Sequence, residues 1–170
     1  MDRRYLVIIF IIVFGCINLF FISGFSDVIG SASVNCGDYT FTIPNDFNLM
    51  SSEESTVVIH NPVSHLTVAI SIIDNNDSNF TRDFDRIANN SNNNVLAEGD
   101  INIDNITVSS IYYEGPDSKD EVKNRSVFFF KKFDSTFKIQ MTNFNFTDRN
   151  ETIDVLSSIV DSMRINYRFK

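Results

Sequence analysis

The sequence predicts an α+β protein: a mostly antiparallel sheet flanked by helices and preceded by one transmembrane helix. Three observations carry this expectation. Residues 5–25 form an uncharged apolar run. Beyond it, short segments alternate apolar and polar residues and are joined by short turns, the pattern of antiparallel strands. Two further segments, near residues 80–88 and 148–163, repeat apolar residues at helical spacing. The resulting order of strands, helix, strands, helix packs helices onto a sheet.

The amino-terminal run reads YLVIIFIIVFGCINLFFISGF, from Tyr5 to Phe25. At a rise of about 1.5 Å per residue it spans roughly 30 Å, the hydrocarbon thickness of a bilayer. In lipid the backbone must satisfy its own hydrogen bonds, so a helix is the expected form and the bilayer its partner. A cleaved signal peptide is the chief rival. Its apolar region is normally shorter, and the small residues Ser31-Ala32-Ser33 lie several positions past the run. A lipoprotein acylated at Cys16 is a second rival, but the apolar run continues beyond that residue. Arg3 and Arg4 precede the run, and no Lys or Arg follows until Arg82. The positive-inside rule then keeps residues 1–4 cytoplasmic, makes 5–25 a signal anchor, and exports a linker over 26–34 and a domain over 35–170.

Charge narrows the function classes. The 170-residue chain carries a formal charge of −8, with 14 basic and 22 acidic residues. That balance excludes a phosphate-backbone binder, so no nucleic-acid partner is expected. Two cysteines give neither a disulfide framework nor a four-ligand zinc site, and six glycines leave little room for a phosphate loop. Cys36 is the lone cysteine of the exported part and reads as a structural thiol. Seven Asn-X-Ser/Thr sequons, at Asn76, Asn79, Asn89, Asn105, Asn124, Asn145 and Asn150, fit an external location and a glycoprotein, although the Asn-, Ser- and Thr-rich composition accounts for many of them.

Tyr39–Ile43 alternates and is stopped by Pro44, which gives the first strand. Thr56–His60 is β-branched and predicts a second. After the Asn61-Pro62 turn, Leu66–Ile73 predicts a third. Phe80, Phe84, Ile87 and Ala88 predict a helix capped by Ser78 or Asn79, which ends in the polar loop Asn89–Asn94. Val95–Ile103 and Ile106–Tyr113 form a hairpin about Asp104-Asn105. Residues 114–124 read as a charged loop. Ser126–Phe130, SVFFF, is apolar on both faces and predicts a central strand with cover on each side. Phe137, Ile139 and Met141 mark the next strand, after a turn at Asp134-Ser135. Asp148 with Glu151 resembles a capping box for a helix whose stripe is Ile153, Leu156, Ile159, Val160 and Met163. Ile165–Phe169 suggests a short final strand.

The segment GDYTFTIPNDFNLMSSEE, from Gly37 to Glu54, resembles the opening of PsbP-like domains, whose first strand ends in a Phe-x-Ile-Pro-type sequence. The hairpin at Asp104-Asn105, the strands SVFFFKKF and TFKIQMT, and the terminal IVDSMRI extend the resemblance over residues 34–168. The chain is similar in this respect to small membrane-anchored PsbP-related proteins of methanogenic archaea. The resemblance implies an α/β/α sandwich that docks on other proteins without enzymatic activity. It carries over no catalytic, cofactor or metal residue.

Candidate chemistry is sparse. His60 and His65 flank a turn and could share a metal given a nearby carboxylate; solvated turn histidines are the ordinary alternative. Residues 74–85 place oxygen ligands like a calcium loop, but Asn79 stands where Gly belongs and Asp85 where Glu belongs. Glu53-Glu54 and Asp120-Glu121 are adjacent pairs that do not converge on one atom. Lys131-Lys132 and Lys138 read as a solvated strand edge, and Phe128, Phe129, Phe130, Phe133 and Phe137 as core. No catalytic, cofactor or metal residue is therefore assigned. The expected function is non-catalytic binding by a membrane-anchored extracytoplasmic domain, with a protein partner. The alternatives are a hydrolase acting on envelope material and a calcium-dependent surface module.

Overall fold

A computed structural model describes residues 32–73, 77–117, 119–142 and 149–166. The apolar run 5–25, Cys16, the sequons at Asn76 and Asn145 and the Asp148 cap lie outside these residues. Among the described residues no helix is long and apolar enough to cross a membrane.

Among the described residues, ten strands and two helices follow one another. They are β1 (Ser33–Cys36), β2 (Tyr39–Thr42), β3 (Asn48–Ser52), β4 (Thr56–His60), β5 (Thr67–Ile73), α1 (Asp77–Ala88), β6 (Asn94–Ile103), β7 (Ile106–Pro116), β8 (Val122–Lys132), β9 (Ser135–Thr142), α2 (Arg149–Ser162) and β10 (Arg164–Ile165). Seven strands form one antiparallel sheet in the order β3-β4-β5-β9-β8-β7-β6, and β1-β2-β10 form a second, smaller sheet. From β5 the chain crosses through α1 to the far edge and returns strand by strand, through β6, β7 and β8, to lay β9 beside β5. Hairpins suffice for every step of that return.

The two faces of the large sheet bury different material. On one face Phe128, Phe130, Ile139 and Val68 join Phe41 of β2 and Leu156, Ile159 and Val160 of α2 in the main core. On the other, Val127, Phe129, Ile111 and Tyr113 pack against Ile87 and Phe84 of α1. The double-sided apolar pattern of Ser126–Phe130 thus ends in a strand covered on both faces, since successive side chains point oppositely.

Turn chemistry sets the registers. Asp104 and Asn105 both have positive φ, 46° and 65°, as a two-residue hairpin turn requires. The β8–β9 turn is formed by Phe133-Asp134, with φ of 53° and 64°, one position earlier than the sequence suggests, and Ser135 pairs with Lys132. Tyr39 explains the shift: its ring stacks on Phe133 at 6.0 Å, and its hydroxyl lies 2.7 Å from Ser135 Oγ. An aromatic residue is held in the left-handed region by a partner distant in sequence.

Other expectations needed correction. Ser33 and Val34 belong to β1 rather than to a linker, with Val34 buried opposite Phe41. The exposed Asn48–Ser52 is an edge strand, recruited by β4 and broken by a bulge between Leu49 and Ser51. Such a break limits further pairing at an open edge. The charged loop shortens to the residues between Pro116 and Val122, because β7 and β8 stay paired to the Pro116–Val122 register. The final strand is confined to Arg164–Ile165, with 167–170 outside the described residues.

Candidate functional site

Lys131 is exposed, whereas Lys132 and Lys138 depart from the solvated edge expected for the three lysines. Lys132 donates to Val160 O at 2.5 Å, and Arg164 donates to Asp161 O at 2.6 Å. Two cations from outside the helix thus serve the carbonyls at the end of α2. Burial, with the charge of Arg164 beside it, holds the Lys132 ammonium below its ordinary pKa. Lys138 approaches Asp83 of α1 at 3.4 Å and lies 5.8 Å from the Phe129 ring centre, tying α1 to the sheet. These lysines are fold contacts.

The histidines come together but stay simple. The rings of His60 and His65 are 6.4 Å apart, and His60 Nδ1 lies 3.1 Å from Thr67 Oγ1. Among the described residues, no three His, Cys, Asp or Glu side chains gather as a metal site. Of the residues read as a possible calcium loop, 74–76 lie outside the described residues. Residues from Asp77 onward, including Asp85, lie in α1, where the motif calls for a loop. Glu53 and Glu54 are exposed beside β4, and Glu121 pairs with Lys123 at 3.3 Å. Phe128, Phe129, Phe130 and Phe137 are buried, as expected of core, whereas Phe133 is 36% exposed.

The sequence did not single out a polar depression that forms among the described residues. It is a cleft of about 400 Å³ between the end of α1, the loop that follows and the outer face of the sheet. Arg86, Asn90, Asn92, Asn93, Tyr113 and Arg125 line it. Its shape is built by the asparagine tract. Asn93 donates from Nδ2 to Ile87 O at 3.0 Å, closing the helix end. Asn92 N donates to Asn90 Oδ1 at 3.0 Å, which folds the loop back on itself. Asn tolerates such turns because its side chain substitutes for backbone partners. Gly115 of β7 makes room: a Cβ there would sit 2.6 Å from Asn93 Oδ1.

Two guanidinium groups face this cleft by different routes. Arg125 on β8 is held by a 3.0 Å bond from Nη2 to Pro116 O, and its Nε is buried with no hydrogen-bond partner. Arg86 is exposed and pairs with Asp83 at 3.2 Å. A second depression, of about 370 Å³, lies on the same sheet face and is lined by Thr107, Ser109, Phe129, Lys131 and Thr136. Two of its hydroxyls are already engaged: Ser109 donates to Asp100 at 2.7 Å and Thr107 to Asn102 at 3.3 Å. The arginine–asparagine cleft is therefore the better candidate for recognition, since its donors retain capacity. A usable signal was present in the sequence, an Asn-rich tract directly after a helix bearing Arg86, but nothing local joins that tract to Arg125, 32 residues beyond Asn93.

No protein-family model matches the chain, and no curated protein is significantly similar to it in sequence. Solved structures are similar in fold. A protein from Bacteroides thetaiotaomicron aligns with a TM-score of 0.55 at 12% identity, covering 83% of this chain and 50% of that one. Cyanobacterial PsbP (CyanoP) from Synechocystis is similar with a TM-score of 0.46 at 16% identity, covering 81% of this chain and 95% of its own. LpqN of Mycobacterium tuberculosis, involved in cell envelope biogenesis, has a TM-score of 0.46 at 12% identity, covering 82% of this chain and 92% of its own. The chain is an antiparallel-sheet α+β protein whose fold recurs within half of the Bacteroides protein.

Proposed function

We propose that this chain is a single-pass membrane protein that displays a PsbP-like domain outside the cell and works there by binding rather than catalysis. The uncharged run 5–25, preceded by Arg3 and Arg4 and followed by no basic residue until Arg82, carries the reading. A segment of that length and charge asymmetry anchors in a bilayer with its basic end inside. The domain supports the binding half of the reading with an open cleft of arginine and asparagine side chains, groups that hold a partner by hydrogen bonds. Sequons at Asn89, Asn105 and Asn150 stand on exposed residues, where glycans would fit an external domain. The PsbP-like resemblance adds the expectation of a protein partner, which cross-linking in intact membranes would capture.

Protease added to intact cells that produce the full chain tests the placement. The expected outcome is loss of a carboxy-terminal epitope without lysis. An epitope protected in intact cells and cut only in lysates would sink the reading.

A further inference from the structure

We infer that the cleft at the end of α1 recognises a small hydroxylated carboxylate of the acidic-sugar type, with Arg125 as the fixed anchor and Arg86 as the adjustable one. This deepens the reading of the domain as a binding module and rests on it. Three features of the site lead there.

First, the charge is local and opposite to that of the chain. The protein carries −8 overall, yet two guanidinium groups line one cleft of about 400 Å³. That volume falls in the range of small-ligand sites. An anion would be drawn to this spot and repelled by most of the remaining surface.

Second, both arginines retain donors. Arg125 spends one bond on Pro116 O and keeps a buried Nε without a partner. A buried charged donor left unpaired is unfavourable, so a small side-chain adjustment that lets an acceptor reach it would be rewarded. Arg86 is engaged only with Asp83, at 3.2 Å. Asp83 also has Lys138 at 3.4 Å on its other carboxylate oxygen. If Arg86 turns to a ligand, Asp83 keeps a cation. The exposed i,i+3 pair being broken is a weak one. Planar guanidinium groups match planar carboxylates in paired hydrogen bonds.

Third, the rest of the rim suits hydroxyl groups. Asn92 makes no side-chain hydrogen bond among the described residues, and Asn90 and Asn93 use only one side-chain group each, Oδ1 and Nδ2. Asparagine amides both donate and accept, as sugar hydroxyls do. The second depression lacks the arginine pair, and its Thr107 and Ser109 hydroxyls are engaged.

The full chain in detergent micelles would be titrated calorimetrically with glucuronate, glucose and inorganic phosphate. Saturable glucuronate binding in the millimolar range is expected, about tenfold or more tighter than either competitor, the factor set by paired charge-assisted bonds. Arg86→Gln should weaken glucuronate about three- to tenfold, and Asn92→Ala should weaken it by a smaller factor. Both side chains are peripheral to the packed core, so neither substitution should disturb the fold, which circular dichroism would check. No saturation by glucuronate up to about 20 mM, a range covering weak small-ligand sites, would overturn the inference. Equal binding of glucose or phosphate would do so too, as would an Arg86→Gln variant that binds like the parent. Such failures would leave the protease result on membrane placement standing, so the two readings fail separately.

Discussion

Cys36 is 1% exposed, and its thiol approaches Ile70 O at 3.9 Å. Burial pushes its pKa up to about 11, partly offset by the backbone of Ile72. Since the thiolate is the reactive form, the thiol should be inert in the folded state. Iodoacetamide at pH 8 should leave Cys36 unlabelled in native protein and label it in denaturant, as read by peptide mass mapping, which separates it from Cys16. Asp117 behaves oppositely. Its Oδ1 accepts from Lys119 N at 2.7 Å and Glu121 N at 3.1 Å, with Lys123 Nζ 3.1 Å from Oδ2. These bonds lower its pKa from 3.8 to about 2. The folded value lies below the unfolded one, so the carboxylate's support for this turn is fully present above about 4 and is lost as pH falls through about 2. Amide shifts of Lys119 and Glu121 in an NMR titration should share that low midpoint. Lys123→Ala should move the midpoint upward.

At the scale of single elements, the junction of α1, its asparagine loop and β7 depends on close approach. Gly115→Ala would place a methyl 2.6 Å from Asn93 Oδ1 and 3.3 Å from the Tyr113 ring. The Asn93 side chain must then move and give up its 3.0 Å bond to Ile87 O. The expected loss is about 1–2 kcal/mol, that of a part-buried hydrogen bond with some crowding, measurable by urea unfolding. Faster amide exchange at the end of α1 should accompany it. The hairpin turns are set by the same kind of local geometry. Asp104 and Asn105 adopt positive φ readily, while Phe133 does so because Tyr39 holds it.

The whole molecule is a sheet with two interiors. Phe128 packs with Tyr112 and the α2 face, and Phe129 with Phe84 and the α1 face. Phe128→Ala and Phe129→Ala should each destabilise by about 3–5 kcal/mol, because both remove a fully buried ring. A sheet with one solvated face would show the loss for only one of the two. Chemical denaturation of both variants in one detergent decides between these outcomes.

The order of most elements was legible because side-chain periodicity is local: SVFFF reads as a central strand, and Leu156, Ile159 and Val160 as the inner stripe of a helix. The length and lack of charge of the apolar run at residues 5–25 are likewise properties of the sequence alone. Strands β1 and β3 were hidden, because SVNC and NLMSS carry no strong pattern and become strands only when β2 and β4 supply partners. The cleft was hidden for a related reason. Arg86, Asn93 and Arg125 belong to a helix, a loop and a strand well separated along the chain, and only the crossover of α1 above the sheet sets them around one space. Periodicity reports which face of an element is apolar; which distant faces meet depends on packing, and it is packing that placed the arginines.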